Sequence, residues 1–368
     1  MAEPRKEEGR EQHLYLLFDD WDSGYSIRKV SLSRRSDKRA KEPLSSGSDK
    51  QGVEPLPQVF MHIQARRGLP HLFTSAFDAK IMVMHPFKID ETKGIPMIDV
   101  QKQALTFGPL PRSANFLPIY LPVGCNRLFI LDIGSFDCYL WAPEHSEEPW
   151  EWQILPYPPF RRADVSSYGV HPDGYILVST IGDARTFILD TTKEDYVWKP
   201  YSSSVLPFSG RGHYDTSLGG FVGLSRDGYL CCRTMAASTT GTNPHDKRTN
   251  VKVYTERQHV SATLVHIHPR KFCLVECVSV DSRRTGQDLR ESWAREFKMP
   301  LGSRPWFCVG GGPQGGRCMY HIKTFTLTYD SEADCLKLKN CKGQGCCYSL
   351  PHEARIGSVC MDPVAFWL

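Results

Sequence analysis

Apolar residues in this chain come in short runs of about four to eight, bounded by Gly, Pro, Asp and Asn. Sustained helical spacing is nearly absent. Runs of that length, rich in Val, Ile, Phe and Tyr, predict strands joined by turns. His13 to Phe18 leads through the polar stretch Asp19 to Gly24 into Tyr25 to Leu32, which predicts a hairpin. Leu72 to Phe77 pairs with Ala79 to His85 around Phe77 to Lys80, and Ile95 to Val100 pairs with Ala104 to Gly108 around Gln101 to Gln103. Ile119 to Val123, Arg127 to Ile133 and Phe136 to Trp141 follow. Further along come Phe221 to Leu224 with Tyr229 to Arg233, then Val251 to Tyr254 after a polar loop at 237–250. Ala262 to Ile267 pairs with Phe272 to Val278, and the closing runs are His321 to Tyr329 and Cys335 to Leu338.

A repeat runs through the middle of the chain. One unit holds Arg127 to Asp132, Tyr139 to Trp141, Trp150 to Trp152 and Leu155 to Phe160. The next holds Tyr175 to Ser179, Thr186 to Asp190, Tyr196 to Trp198 and Val205 to Phe208. Phe160 and Phe208 lie 48 residues apart, and Trp152 and Trp198 lie 46 apart. Ser167 to Gly174 resembles Gly212 to Gly220 in the same phase. A period in the high forties with four short strands per unit matches a propeller blade. A lone four-stranded sheet exposes both faces, so its neighbours must stack on it. Large flat side chains at the end of each unit would fill the wedge between blades. The chain has room for about six such units by this arithmetic. The fold class is therefore all-β, a single six-bladed propeller closed by pairing of the N- and C-terminal strands, which removes exposed sheet edges.

The predicted domain spans residues 13–350, with a disordered tail at 1–12 and a C-terminal tail at 351–368. Residues 33–58 carry too little apolar surface to offset the entropy of ordering and are expected to be a disordered loop. Residues 281–317 begin charged and end Gly-rich, which predicts a long insertion with a helical turn at Leu289 to Phe297.

Composition adds little to this picture and excludes some classes. The 368 residues include 26 Pro and 29 Gly without a short period, which excludes collagen and suits a turn-rich fold. A net charge of +4, from 45 basic and 41 acidic residues, is too weak to imply nucleic acid. Met1 to Glu8 is hydrophilic, and no stretch reaches the roughly 18 apolar residues of a membrane span. A cytosolic or nuclear location is expected, with no membrane partner. The 13 Cys, several inside apolar runs (Cys231, Cys232, Cys273, Cys277), are then buried free thiols.

Three blocks resemble a known family: Leu17 to Lys29, Asp164 to Gly174 and Leu206 to Gly212. They are similar to those of a plant family expanded in grasses, an uncharacterised group of kelch-like propeller proteins. The likeness covers roughly residues 13–350. It implies a kelch-type or galactose-oxidase-like propeller and brings no activity. The chain departs from ordinary kelch repeats, which carry a Gly-Gly pair and spaced Tyr and Trp in every blade. It also shows no F-box-like segment before the first strand.

Candidate chemistry is sparse. Cys341 to Cys347 is a dense thiol cluster that Cys335 and His352 would complete, but its spacing is irregular for zinc. His266 and His268 share a strand face without a third ligand in sequence. Gly310 to Gly316 lacks the Gly-Lys-Ser/Thr ending of a phosphate loop. Arg34 to Lys41 has the basic character of a nuclear signal, diluted by Asp37 and Glu42. A radical copper centre needs two Tyr, two His and an oxidising compartment. No catalytic, cofactor-binding or metal-binding residue is assigned, and no cofactor is expected. The expected function is a monomeric, non-enzymatic scaffold that binds protein partners through propeller loops, with 142–149, 237–250 and 281–317 the longest. The alternative is an enzyme with its active site in the central channel.

Overall fold

Most of the predicted runs are strands, and most pair with their neighbour in the chain. The computed structural model describes residues 11–20, 23–32, 53–64, 72–84, 94–108, 117–141, 150–235, 245–255, 258–280, 318–330, 332–341, 346–349 and 362–368. Among these residues no helix is long and apolar enough to cross a membrane.

The first blade contains β1 (Leu14–Asp19), β2 (Tyr25–Val30) and β4 (Val59–Ile63), and its innermost strand is β26 (Val364–Trp367). The second is β5 (Leu72–Ala76), β6 (Lys80–Met84), β7 (Ile95–Asp99) and β8 (Ala104–Gly108). The third is β9 (Ile119–Val123), β10 (Arg127–Asp132), β11 (Ser135–Trp141) and β12 (Trp150–Ile154). The fourth is β13 (Val165–Val170), β14 (Tyr175–Thr180), β15 (Arg185–Asp190) and β16 (Trp198–Ser202). The fifth is β17 (Gly210–Asp215), β18 (Gly220–Leu224), β19 (Leu230–Thr234) and β20 (Asp246–Arg248). The sixth begins with β21 (His259–His268), β22 (Lys271–Ser279) and β23 (Cys318–Asp330). β23 then pairs with β24 (Cys335–Lys339) near one end and with β25 (Cys346–Ser349) near the other. The strands within each blade are antiparallel. The fourth and fifth blades also join through parallel pairing of their inner strands, with Tyr168 opposite Arg211 and Val170 opposite His213.

Six buried clusters correspond to the six blade-to-blade wedges, and alternation along the second strand of each blade explains how. Leu14, Leu16 and Phe18 pack with Val265, Cys273 and Val275 of the sixth blade. Tyr15 and Leu17 point the other way, onto Ile81 and Val83 of the second. Leu128 and Ile130 join the second blade's Met82 and Met84, whereas Phe129 and Leu131 join the fourth blade's Ile176 and Val178. Leu177 packs towards Phe221 of the fifth blade. Val222 and Leu224 meet Phe272 and Leu274. Successive strand residues face opposite sides of the sheet, so a strand buried on both sides is apolar throughout while its two residue sets serve different interfaces. The predicted wedge aromatics occupy these positions. Phe160 trails the third blade and packs on the fourth, 5.0 Å from Phe187 and 5.1 Å from Trp198 between ring centroids. Phe208 trails the fourth and packs on the fifth.

Three expected boundaries need correction. Residues 351–368 are not simply a tail, because β26 lies inside the fold. Leu14 pairs with Trp367 and Leu17 with Val364, and the backbones of His13 and Leu368 exchange hydrogen bonds at 2.8 and 3.1 Å. Ring closure therefore comes from residues 364–367 rather than from the runs at 321–338. The expected loop at 33–58 is too long. β3 (Val53–Glu54) adds in parallel to β25, where Val53 finds Cys347 and Glu54 finds Tyr348. The third concerns the polar segment 237–250. The outer strand of the fifth blade is Asp246–Arg248, and Val251 to Tyr254 is not a strand. A rim strand needs no apolar alternation, because its side chains reach solvent and ions. Arg233 and Asp246 pair directly across β19 and β20. The expected loop 142–149, insertion 281–317, basic segment 34–41 and Gly-rich segment 310–316 lie outside the described residues.

Candidate functional site at the inner strands

The inner strands of the fourth and fifth blades share one tightly closed face. Gly169 and Gly212 lie on the same face of the parallel pair. A Cβ on Gly169 would come within 2.6 Å of the Phe221 ring, and one on Gly212 would overlap the ring of Phe208. Those two rings fill the wedge between the blades. Alternation then turns Tyr168 and Val170 onto the cluster between the third and fourth blades, and Arg211 and His213 to the β21 side of β17.

Polar groups gather there. The His213 Nε2–H donates to the Leu264 carbonyl of β21 at 2.8 Å. Burial, then the neighbouring Arg211 charge, brings the His213 pKa down to about 3, against the pull of the Leu264 carbonyl. His213 is thus a neutral imidazole that ties β17 to β21. Two residues on, Asp215 is fully buried. It accepts from Leu218 N at 2.9 Å, Arg270 N at 2.6 Å and His266 Nε2 at 3.1 Å. Burial raises its pKa, but the His266 and backbone hydrogen bonds outweigh that and leave it lowered. Arg211 differs from both. It is exposed, and among the described residues it has neither an ion pair nor a hydrogen bond. The surrounding protein pulls its pKa down by desolvation, with Tyr168 as its opposing electrostatic neighbour.

A second knot lies in the wedge between the fifth and sixth blades. Glu276 is wholly buried on β22. It accepts from Thr255 N at 2.6 Å, Thr255 Oγ1 at 2.9 Å, His259 Nδ1 at 3.0 Å and Lys323 Nζ at 2.9 Å. Burial raises its pKa. The His259 hydrogen bond and the Lys323 charge, with the remaining donors, override this and bring it to about 2. Tyr254 stacks on His259 with centroids 3.7 Å apart. The Nε2 atoms of His259 and His321 are buried without a hydrogen-bond partner among the described residues.

The structure does not assemble the residues singled out in sequence. His266 turns to Asp215, whereas His268 is exposed beside the Pro269 carbonyl, because a bulge between them breaks their common face. Cys335 and Cys347 are buried on separate strands, Cys341 is exposed, and His352 lies outside the described residues. Among the described residues no three His, Cys, Asp or Glu converge as metal ligands. Cys138 and Cys273 are pushed up to about 12 by burial, and Cys231 and Cys232 to about 11. These are packing thiols rather than nucleophiles. In sequence Arg211 stands out only as part of a family-like block, and nothing local marks Asp215 or Glu276. One signal was available for Arg211, a cation flanked by glycines at the start of an inner strand.

Six radially stacked sheets among the described residues, with the C-terminal strand at the centre of the first, define a six-bladed β-propeller. The chain belongs to the family described as Protein of unknown function (DUF1668), whose model matches residues 11–299. No curated protein matches it. Three solved structures are similar in fold. The β-propeller domain of Cps50 (Swd1) from Myceliophteria thermophila has 8% identity, with 69% of this chain and 74% of that chain covered at a TM-score of 0.37. The periplasmic gluconolactonase PpgL of Pseudomonas aeruginosa has 10% identity, covering 92% and 99% at 0.41. A quinonprotein alcohol dehydrogenase-like protein from Bacteroides thetaiotaomicron has 9% identity, covering 91% and 65% at 0.38.

Proposed function

We propose that this chain is a non-enzymatic, kelch-like interaction scaffold that presents its inter-strand loops and axial opening to a protein partner. The observation that carries this reading is the commitment of its buried carboxylates. Asp215 receives three hydrogen bonds and Glu276 four, all from the protein's own groups. A general acid or base must present a free lone pair or proton to substrate, and the four lone pairs of Glu276 are all taken, while Asp215 is fully buried with three of its four in use. Burial likewise raises the thiols of Cys138, Cys231, Cys232 and Cys273 away from the reactive range. A rigid ring whose sheet faces are sealed in wedges leaves loops and axis for recognition. Its expected setting is the cytosol or nucleus of a plant cell.

The test is purification of the tagged chain from native tissue, followed by affinity measurement between the purified chain and each recovered protein. Segments 142–149, 237–245 and 281–317 are then replaced one at a time by Gly/Ser linkers. Loss of affinity in one replacement supports the reading. Unchanged affinity in all three, or turnover of a small molecule by the purified chain, overturns it.

A further inference from the structure

We propose that Cys277 and Cys318 form a redox-sensitive pair that a peroxide closes into a disulfide, tying β22 to β23 at the end of their ladder. The strand register brings them together. Cys277 stands opposite Tyr320, and Cys318 opposite Ser279, so the two cysteines are diagonal neighbours on one face. Both belong to the wedge between the first and sixth blades. Their thiols share a hydrogen bond. Access to them is unequal, because Cys277 is fully buried whereas Cys318 is half-buried at the margin of the cluster. A disulfide needs Cα atoms within about 7 Å of each other. Among the described residues the ladder ends at Ser279 and Cys318, so the small backbone adjustment that a diagonal bond needs falls at a strand end. Cys273 and Cys346 face the same wedge but stand on strands either side of β23. Two strand spacings of about 4.8 Å separate them, which is too far for a bond.

The shared hydrogen bond gives the two sulfurs different roles. It raises the Cys277 pKa, with burial adding to the rise, and lowers that of Cys318 against the effect of burial. Cys318 is thus the attacking sulfur and Cys277 the resolving one. The Cys318 thiolate attacks one peroxide oxygen and the O–O bond breaks. A sulfenic acid forms on Cys318, and the released hydroxide takes the proton that Cys318 has shed, giving water. The Cys277 sulfur then attacks the Cys318 sulfur. The S–O bond breaks, and the departing hydroxide leaves as water with the Cys277 proton. Two thiols have lost two electrons and two protons, and one peroxide has become two waters. A dithiol reductant reverses the bond by exchange. The bond joins residues 41 apart in the chain. It removes freedom from the unfolded chain and so favours the oxidised fold. The inference does not depend on the scaffold reading, because it rests on the strands of the sixth blade alone.

The experiment treats the reduced full chain with one equivalent of hydrogen peroxide and blocks the remaining thiols with iodoacetamide. The unreduced digest is then mapped by mass spectrometry. The Cys277–Cys318 crosslink, two hydrogens lighter than the separate thiol peptides, should be the main product and should disappear with dithiothreitol. Cys277→Ser should leave Cys318 as a sulfenic acid that dimedone traps, and Cys346→Ser should crosslink as wild type does. The crosslinked chain should melt several degrees above the reduced one. Oxidation that falls chiefly on the exposed Cys125 and Cys341 overturns the proposal. So does a main product that joins any other cysteines, or a Cys277–Cys318 bond that forms only in the denatured chain. A crosslinked chain that melts no higher than the reduced one overturns it too, because the bond would then tie nothing.

Discussion

The ring of Phe208 occupies the space that a Cβ on Gly212 would need. Gly223 on the adjacent strand is covered by the same ring, so the wedge between the fourth and fifth blades accepts one phenyl group only because two facing positions carry no side chain. Gly212→Ala is expected to destabilise the protein by about 1–3 kcal/mol through overpacking, and Phe208→Ala by about 3–5 kcal/mol through the cavity it leaves. Combining Gly212→Ala with Phe208→Leu should cost less than the sum of the two single changes, because the smaller side chain makes room. Chemical denaturation of wild type, Gly212→Ala, Phe208→Leu and the double variant measures this. Strict additivity would mean that the two residues do not share the space.

Residues 364–368 should be indispensable. β26 supplies the innermost strand of the first blade and places Ala365 and Phe366 in two different wedges. Deleting them leaves the edge of β1 unpaired beside the sixth blade. Phe366→Ala alone is expected to cost roughly 3 kcal/mol. The deletion should broaden or abolish the cooperative thermal transition seen by circular dichroism. An unchanged melting curve for the deletion would contradict closure by this strand.

Breaking the Glu276 knot should be more damaging than replacing it. Glu276→Gln leaves Lys323 without its counter-charge, and losing one partner of a buried pair costs roughly 3 kcal/mol. A Glu276→Leu/Lys323→Met double variant removes both charges and should recover part of that loss. Urea unfolding of wild type, the single variant and the double variant decides it. A double variant less stable than Glu276→Gln would show that the network is worth more than its apolar replacement.

Stability should fall with acid in two steps. His213 drops from its ordinary 6.5 to about 3 in the fold, so the unfolded chain binds the extra proton first. Its contribution is fully present above pH 6.5 and is lost as pH falls towards 3. Glu276 drops from 4.5 to about 2, so its contribution is present above pH 4.5 and is lost as pH falls towards 2. His213→Gln, which keeps a donor for the Leu264 carbonyl, should flatten the step that begins near pH 6.5 and leave the lower one. Melting temperature recorded from pH 8 to pH 3 tests the assignment. A wild-type profile flat from 6.5 to 5 would contradict it.

Thiol reactivity should separate by burial. Cys125 and Cys341 are exposed, whereas Cys138 and Cys273 are buried, with pKa values pushed up to about 12. Iodoacetamide applied to the native protein at pH 8 should label the first pair within minutes and the second only after denaturation. Peptide mapping by mass spectrometry measures the order. Rapid native labelling of Cys273 would mean that the wedge between the first and sixth blades opens.

Much of the architecture could be read before any coordinates. Unbroken apolar runs such as Leu128 to Leu131 predicted strands, and the spacings of Trp152 to Trp198 and Phe160 to Phe208 predicted stacked blades. Local composition failed where a strand draws its stability from elsewhere. Asp246 to Arg248 has no apolar signal because it lies on the rim. Val53 and Glu54 form a strand only because the edge of β25 is there to receive them.

What the chain determined by itself was a series of short amphipathic or doubly apolar strands and the aromatic period that makes them stack. Those are local properties, written in residue type and spacing. The tertiary structure decided which strand closes the ring and which polar groups meet at the axis. Val364 to Trp367 comes to lie beside Leu14, and Asp215 beside His266, only after the blades between or beside them have turned through their share of the circle.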